Sequence, residues 1–101
     1  MTHVRVWQFQ PAPGRESDFV AAYSGGSVWA KLFDQAEGFV GTTLLTPIKS
    51  GGPYLTLDRW ESLGAFERFQ DVFGDAYRRL DITMETLTAG EVFIGAFDNR
   101  S

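Results

Sequence analysis

Between Val4 and Gln10 the chain alternates, with Val4, Val6 and Gln8 pointing one way and Arg5, Trp7 and Phe9 the other. A period of two in β-branched and aromatic residues predicts a strand. Pro11-Ala12-Pro13-Gly14 ends it. The period then lengthens. Glu16 and Asp18 stand in the first turn of a predicted helix, where carboxylates suit the positive end of the dipole, and Phe19, Ala22 and Tyr23 form its apolar stripe. Gly25-Gly26 breaks this helix and opens space over the sheet. Ser27 is placed to cap a second short helix carrying Val28, Trp29, Leu32 and Phe33.

Glu37-Gly38 reads as a turn, and Phe39 to Thr46 as a strand. Pro47 to Pro53 makes a hairpin loop. From Tyr54 to Trp60 the alternation returns: Tyr54, Thr56, Asp58 and Trp60 share one face, Leu55, Leu57 and Arg59 the other. Ser62 is the expected cap of a long helix with Phe66, Phe69, Phe73, Tyr77 and Leu80 along one side, and Gly74 as a point of kinking. Leu87 to Phe97 reads as the last strand. The order β-α-β-β-α-β over residues 1–101 predicts a single α+β domain of ferredoxin-like plan, a four-stranded antiparallel sheet with helices on one face. The other face, carrying either Val4, Val6, Leu55 and Leu57 or the opposite set, then needs a cover. A second copy packed sheet to sheet supplies it, so a homodimer is expected. Periodicity alone leaves open which face meets the helices.

Composition narrows the chemistry. The 101 residues include no Cys and one His, which excludes thiolate chemistry and metal sites built on several histidines. The formal charge of −4 and the lack of a basic stripe argue against nucleic acid as a partner. The N-terminal residues carry no apolar run of signal-peptide or membrane-span type, so a cytoplasmic protein with no membrane partner is expected. Nine Phe, three Trp and three Tyr are more than so small a core requires. They point to an apolar cavity that takes a small aromatic molecule.

The candidate site follows from the strand faces. If the first and third strands are neighbours, Arg5 and Asp58 lie together among aromatics. They could orient a substrate or supply a base whose pKa burial has raised. A structural salt bridge, or two residues on a rim, is the plainer reading of the same pair. Trp7, Tyr23, Trp29, Phe33, Trp60 and Tyr77 are candidates to line a cavity between sheet and helices, against the alternative of ordinary core packing. His3, at the start of a strand, reads as a surface or strand-end residue. Arg78-Arg79 reads as a solvated helix face, and Asp71, Asp75, Asp81 and Glu85 form no metal cage.

The run Asp58-Arg59-Trp60-Glu61-Ser62 followed by Ala65 resembles the acidic-x-Trp…Ala pattern of the antibiotic-biosynthesis-monooxygenase-like members of the dimeric α+β barrel superfamily. Tyr23 to Trp29 with Leu32-Phe33 is similar to segments of uncharacterised proteins of that group. The resemblance implies a homodimer through the sheets, and for some members oxygenation of polycyclic phenols or quinols with no metal or flavin. Other members degrade haem through a histidine on the last helix; Phe69 stands at that place here, which argues against haem. Trp60 matches the motif tryptophan, while the one Asn, Asn99, lies in the tail and matches no catalytic asparagine. Two functions therefore stand. One is a cofactor-independent monooxygenase acting on a small aromatic or quinol compound. In it Asp58, Arg5 and Tyr54 handle proton and charge, and the six aromatics above, with Phe69, hold the ring. The other is a non-catalytic dimer that binds a small molecule or serves as a stress or accessory protein.

Overall fold

A computed structural model describes residues 2–100. Four strands, β1 (Thr2–Pro11), β2 (Phe39–Leu45), β3 (Tyr54–Trp60) and β4 (Thr88–Asn99), form one antiparallel sheet in the order β2-β3-β1-β4. Helices α1 (Glu16–Tyr23), α2 (Val28–Phe33) and α3 (Leu63–Met84) pack on one face, and a single 3₁₀ turn, Glu85–Leu87, leads into β4. This is the ferredoxin-like α+β arrangement that the two alternating periods predict. No described helix is long and apolar enough to cross a membrane.

The helix-facing set on β1 is His3, Arg5, Trp7 and Phe9, and on β3 it is Tyr54, Thr56, Asp58 and Trp60, because the ladder pairs Arg5 with Asp58 and Trp7 with Thr56. The core is almost wholly aromatic. Trp60, Phe19 and Phe69 are 1%, 0% and 2% exposed, and Phe9, Tyr23, Trp29 and Phe33 are buried with them. Phe19 and Tyr23 stack at 4.3 Å between ring centroids, one helical turn apart. That pair anchors α1, a helix with little other amphipathic character.

Ser62 caps α3 as its sequence suggests, its Oγ accepting from the Ala65 amide at 3.1 Å. At Ser27 the structure differs from expectation. The residue has the extended backbone of a cap, but its hydroxyl makes no capping bond and is buried without a partner among the described residues. Gly74 does not interrupt α3, which runs unbroken for 22 residues. Continuous packing of Phe69, Phe73, Tyr77 and Leu80 on the core outweighs the roughly 1 kcal/mol that one glycine costs a helix interior. Gly38 is obligatory. Its φ is +88°, and a Cβ there would lie 2.6 Å from the Ala65 Cβ where β2 begins beneath the first turn of α3.

The opposite sheet face carries Val4, Val6, Leu55 and Leu57, which settles the choice that periodicity leaves open. Val4 is buried between its ladder partners, Arg59 and Phe97, and Val6, Leu55 and Leu57 are half-buried. On the flanking strands Phe97, Val92 and Leu45 are 50%, 54% and 45% exposed.

Candidate functional site

The helices do not seal the sheet. Between α3, the α1–α2 region and the inner face of β1, β3 and β4 lies a cavity of about 430 Å³. Its walls are the rings of Trp7, Tyr23, Trp29, Phe33, Trp60, Phe66, Phe69 and Tyr77, and its floor is the sheet residues Arg5, Thr42, Thr56 and Asp58. Gly74 contributes a stretch of α3 with no side chain, and Gln70, Arg78, Asp81 and Glu91 also line the space.

Nine of the ten residues singled out from the sequence meet here: Arg5, Asp58, Trp7, Tyr23, Trp29, Phe33, Trp60, Phe69 and Tyr77. Tyr54 does not. It shares the face of Asp58 but sits at the start of β3 opposite Phe9, where its ring packs edge-on against Phe19 at 5.4 Å. Alternation fixes the face, not the distance along the strand at which a helix covers it.

Asp58 stands on the cavity floor. It keeps a partial opening toward the cavity, but protein surrounds its carboxyl group. Burial pushes its pKa up from 3.8 to about 6 against the opposing pull of the Thr42 hydrogen bond, Arg5 and Arg59. Thr42 Oγ1 donates to Asp58 Oδ1 at 2.8 Å. Arg59 belongs to the other face, where its Nη1 donates to Thr43 Oγ1 at 2.7 Å. Arg5 faces Asp58 directly across the β1–β3 ladder. The ion pairs among the described residues are Arg15–Asp18, Asp75–Arg78 and Asp98–Arg100, so the salt bridge that was one plain reading of Arg5 and Asp58 is not formed. The Arg5 guanidinium instead lies over two rings, 3.9 Å from the centroid of Phe66 and 4.7 Å from that of Phe93. Burial lowers its pKa, with Tyr77 and Asp58 opposing, and it stays charged.

A bulge places one of those rings. The β1–β4 register slips between Val6 and Trp7, so that Phe93 rather than Ile94 stands opposite Trp7, and the two rings meet at 5.0 Å. Burial drives the hydroxyls of Tyr23 and Tyr77 up to about 12, with Glu91 and Asp81 adding to it at both and Asp58 at Tyr77. Both phenols are therefore neutral and able to donate. The Trp29 indole opposes the shift at Tyr23 without closing a hydrogen bond of its own. Glu91 is raised by burial and then by Asp81.

His3 is not a surface residue. It is 5% exposed on the helix side of β1, near Phe66, with Nε2 buried and without a hydrogen-bond partner among the described residues. Burial and then Arg5 lower its pKa. The alternation that placed Arg5 and Trp7 inward placed His3 with them. Its Nε2 does not open on the cavity, and Phe69, where a haem-ligating histidine would be sought, is packed among Phe33, Trp60 and Phe73. The side chains present therefore offer a porphyrin iron no imidazole.

Several cavity residues were not singled out from the sequence. Thr56 follows the parity of its strand and was legible in principle. Thr42 and Glu91 were not, because each owes its direction, relative to the rest of its strand, to a bulge.

The family model for antibiotic biosynthesis monooxygenase matches residues 2–78. No curated relative matches the sequence. Among solved structures, a variant of SnoaB, a cofactor-independent oxygenase from Streptomyces nogalater, aligns with a TM-score of 0.72 at 21% identity, over 99% of this chain and 94% of that one. A putative antibiotic biosynthesis monooxygenase from Bordetella bronchiseptica aligns at 0.73 and 18% identity, over 99% and 98%. A variant of MhuD with two manganese protoporphyrin IX bound per active site aligns at 0.72 and 20%, over 96% and 93%. These identities speak for a shared fold. With most of its length matched by the family model, the chain belongs to the antibiotic biosynthesis monooxygenase family.

Proposed function

We propose that the chain oxygenates a small aromatic or quinol compound with dioxygen and without a metal or flavin, using Asp58 as the base. One observation carries this reading: a buried carboxyl with its pKa raised to about 6, facing an arginine that forms no ion pair among the described residues, on the floor of an aromatic cavity. A base poised near the working pH is what proton abstraction from a phenol or an activated ring carbon requires. The likeness in fold to SnoaB supports it.

In this reaction Asp58 takes the substrate proton, and Arg5 holds the resulting oxyanion. The electron-rich anion gives one electron to dioxygen, and the superoxide formed joins the ring carbon radical through a new carbon–oxygen bond. The peroxide takes up a proton and loses water, leaving a carbonyl. The protein binds, deprotonates and excludes bulk water. Trp29, Phe33, Trp60 and Tyr77 hold the ring plane, and the neutral phenols of Tyr23 and Tyr77 donate to its polar groups. The working unit is a cytoplasmic homodimer in which the half-open apolar sheet face, with Phe97 and Val92, is covered by a second copy.

The test is a panel of hydroxyanthrones and hydroquinones, following oxygen consumption and tryptophan fluorescence together. Uptake that depends on protein supports the oxygenase. Quenching with no uptake from any compound would replace it by a binding protein, the second function the sequence allows.

A further inference from the structure

We propose that Thr42 is the positioning residue of the site, and that the bulge in β2 exists to aim its hydroxyl at Asp58. The inference rests on Asp58 acting as the base. Between Phe39 and Gly41 the β2–β3 register slips by one: Phe39 pairs with Trp60, Gly41 with Arg59 and Thr42 with Asp58. Without the extra residue, Val40, an uninterrupted ladder would place Gly41 opposite Asp58, and Gly41 has no side chain to offer. The bulge therefore converts an empty position into a hydroxyl donor. It is also a place where a ladder pays stability for direction, as bulges beside sites do.

The consequence at the carboxyl is specific. Thr42 Oγ1 donates to Oδ1 at 2.8 Å and is the hydrogen-bond donor that Asp58 has among the described residues. With Oδ1 occupied, Oδ2 is the oxygen left to accept a substrate proton, and rotation of the carboxylate about its Cβ–Cγ bond is restrained. Two other groups act on Asp58 through charge alone, Arg5 from β1 and Arg59 on its own strand, while Tyr77 from α3 is a neutral phenol whose own ionisation Asp58 opposes. Arg5 and Arg59 are each engaged elsewhere, on the rings of Phe66 and Phe93 and on Thr43. Thr42 thus has two effects that belong together: it picks the reacting oxygen, and it keeps the carboxyl ionised at a pH where burial alone would protonate it.

The experiment is a carbon-13 carboxyl titration by NMR of the full chain labelled at aspartate, with the Asp58 signal assigned from Asp58→Asn. Thr42→Val keeps the shape and the strand preference of threonine and removes only the donor. It is expected to raise the Asp58 midpoint by about one to two pH units, the worth of one hydrogen bond to a charged group. Thr42→Ser restores the donor and is expected to return the midpoint close to that of the parent. An unchanged midpoint in Thr42→Val, or a midpoint in Thr42→Ser as high as in the valine variant, overturns the proposal. The titration needs no turnover. If the parent titrates as described but consumes no oxygen with any substrate, the oxygenase reading fails while the role of Thr42 in setting this carboxyl stands.

Discussion

Replacing Asp58 with Asn should make the protein more stable at neutral pH. The carboxyl titrates near 6 in the folded chain against 3.8 for an ordinary aspartate, so folding holds its proton more tightly than the unfolded chain does. The native state then binds more protons between the two values, and stability falls as pH rises through that window. In full, two pH units are worth about 3 kcal/mol, of which about 2 kcal/mol falls between pH 4.5 and 7. Asn keeps the volume and the oxygen that accepts from Thr42 but carries no charge to desolvate. Urea unfolding of both proteins, followed by tryptophan fluorescence across pH 4.5 to 8, gives the difference free of every other carboxylate. The parent should lose about 2 kcal/mol relative to Asp58→Asn over that range, a shift in midpoint of one to two molar urea at the slope of a small domain. A constant difference across pH, or a variant less stable than the parent at pH 7.5, would refute the claim that this carboxyl is held ionised at a cost. Such a cost is what a working base imposes on the fold that carries it.

Other outcomes follow from the same structure. Gly74→Ala should stabilise α3 by about 0.5–1 kcal/mol, because its Cβ would meet nothing closer than the Arg78 guanidinium at 3.5 Å. It should also weaken binding of three-ring ligands, since Gly74 lines the cavity; thermal melts and fluorescence titrations check the two effects separately. The purified chain should scatter light as a dimer at micromolar concentration, and Phe97→Asp on the open sheet face should make it monomeric; a monomeric parent contradicts the sheet-to-sheet assembly.

Much of this architecture can be read from residue order alone, and the reason is the clean change of period. Val4 to Gln10 and Tyr54 to Trp60 alternate without a break, so both faces of the two central strands follow from parity, and Arg5 and Asp58 come together as neighbours. The edge strands resist the same reading. Val40 and the Ile94 bulge each shift the phase by one residue, which turns Thr42 and Phe93 inward in a way that only the register reveals. Tyr54 shows a second limit: parity sends it to the helix side, but only the placement of α1 tells that Phe19, not a ligand, meets it. His3 shows a third, because a position near the chain end says nothing of burial once α3 begins above it.

As the base of the site, Asp58 removes a proton from a substrate that then reacts with oxygen. The most direct measurement is the pH dependence of oxygen consumption with a hydroxyanthrone, for the parent and for Asp58→Asn. Consumption per unit of substrate should rise with pH through a midpoint near 6, as the carboxylate forms, and level off above it. In Asp58→Asn it should drop by at least a hundredfold and lose that midpoint. Equal rates in the two proteins, or a parent profile without a midpoint near 6, would contradict that role.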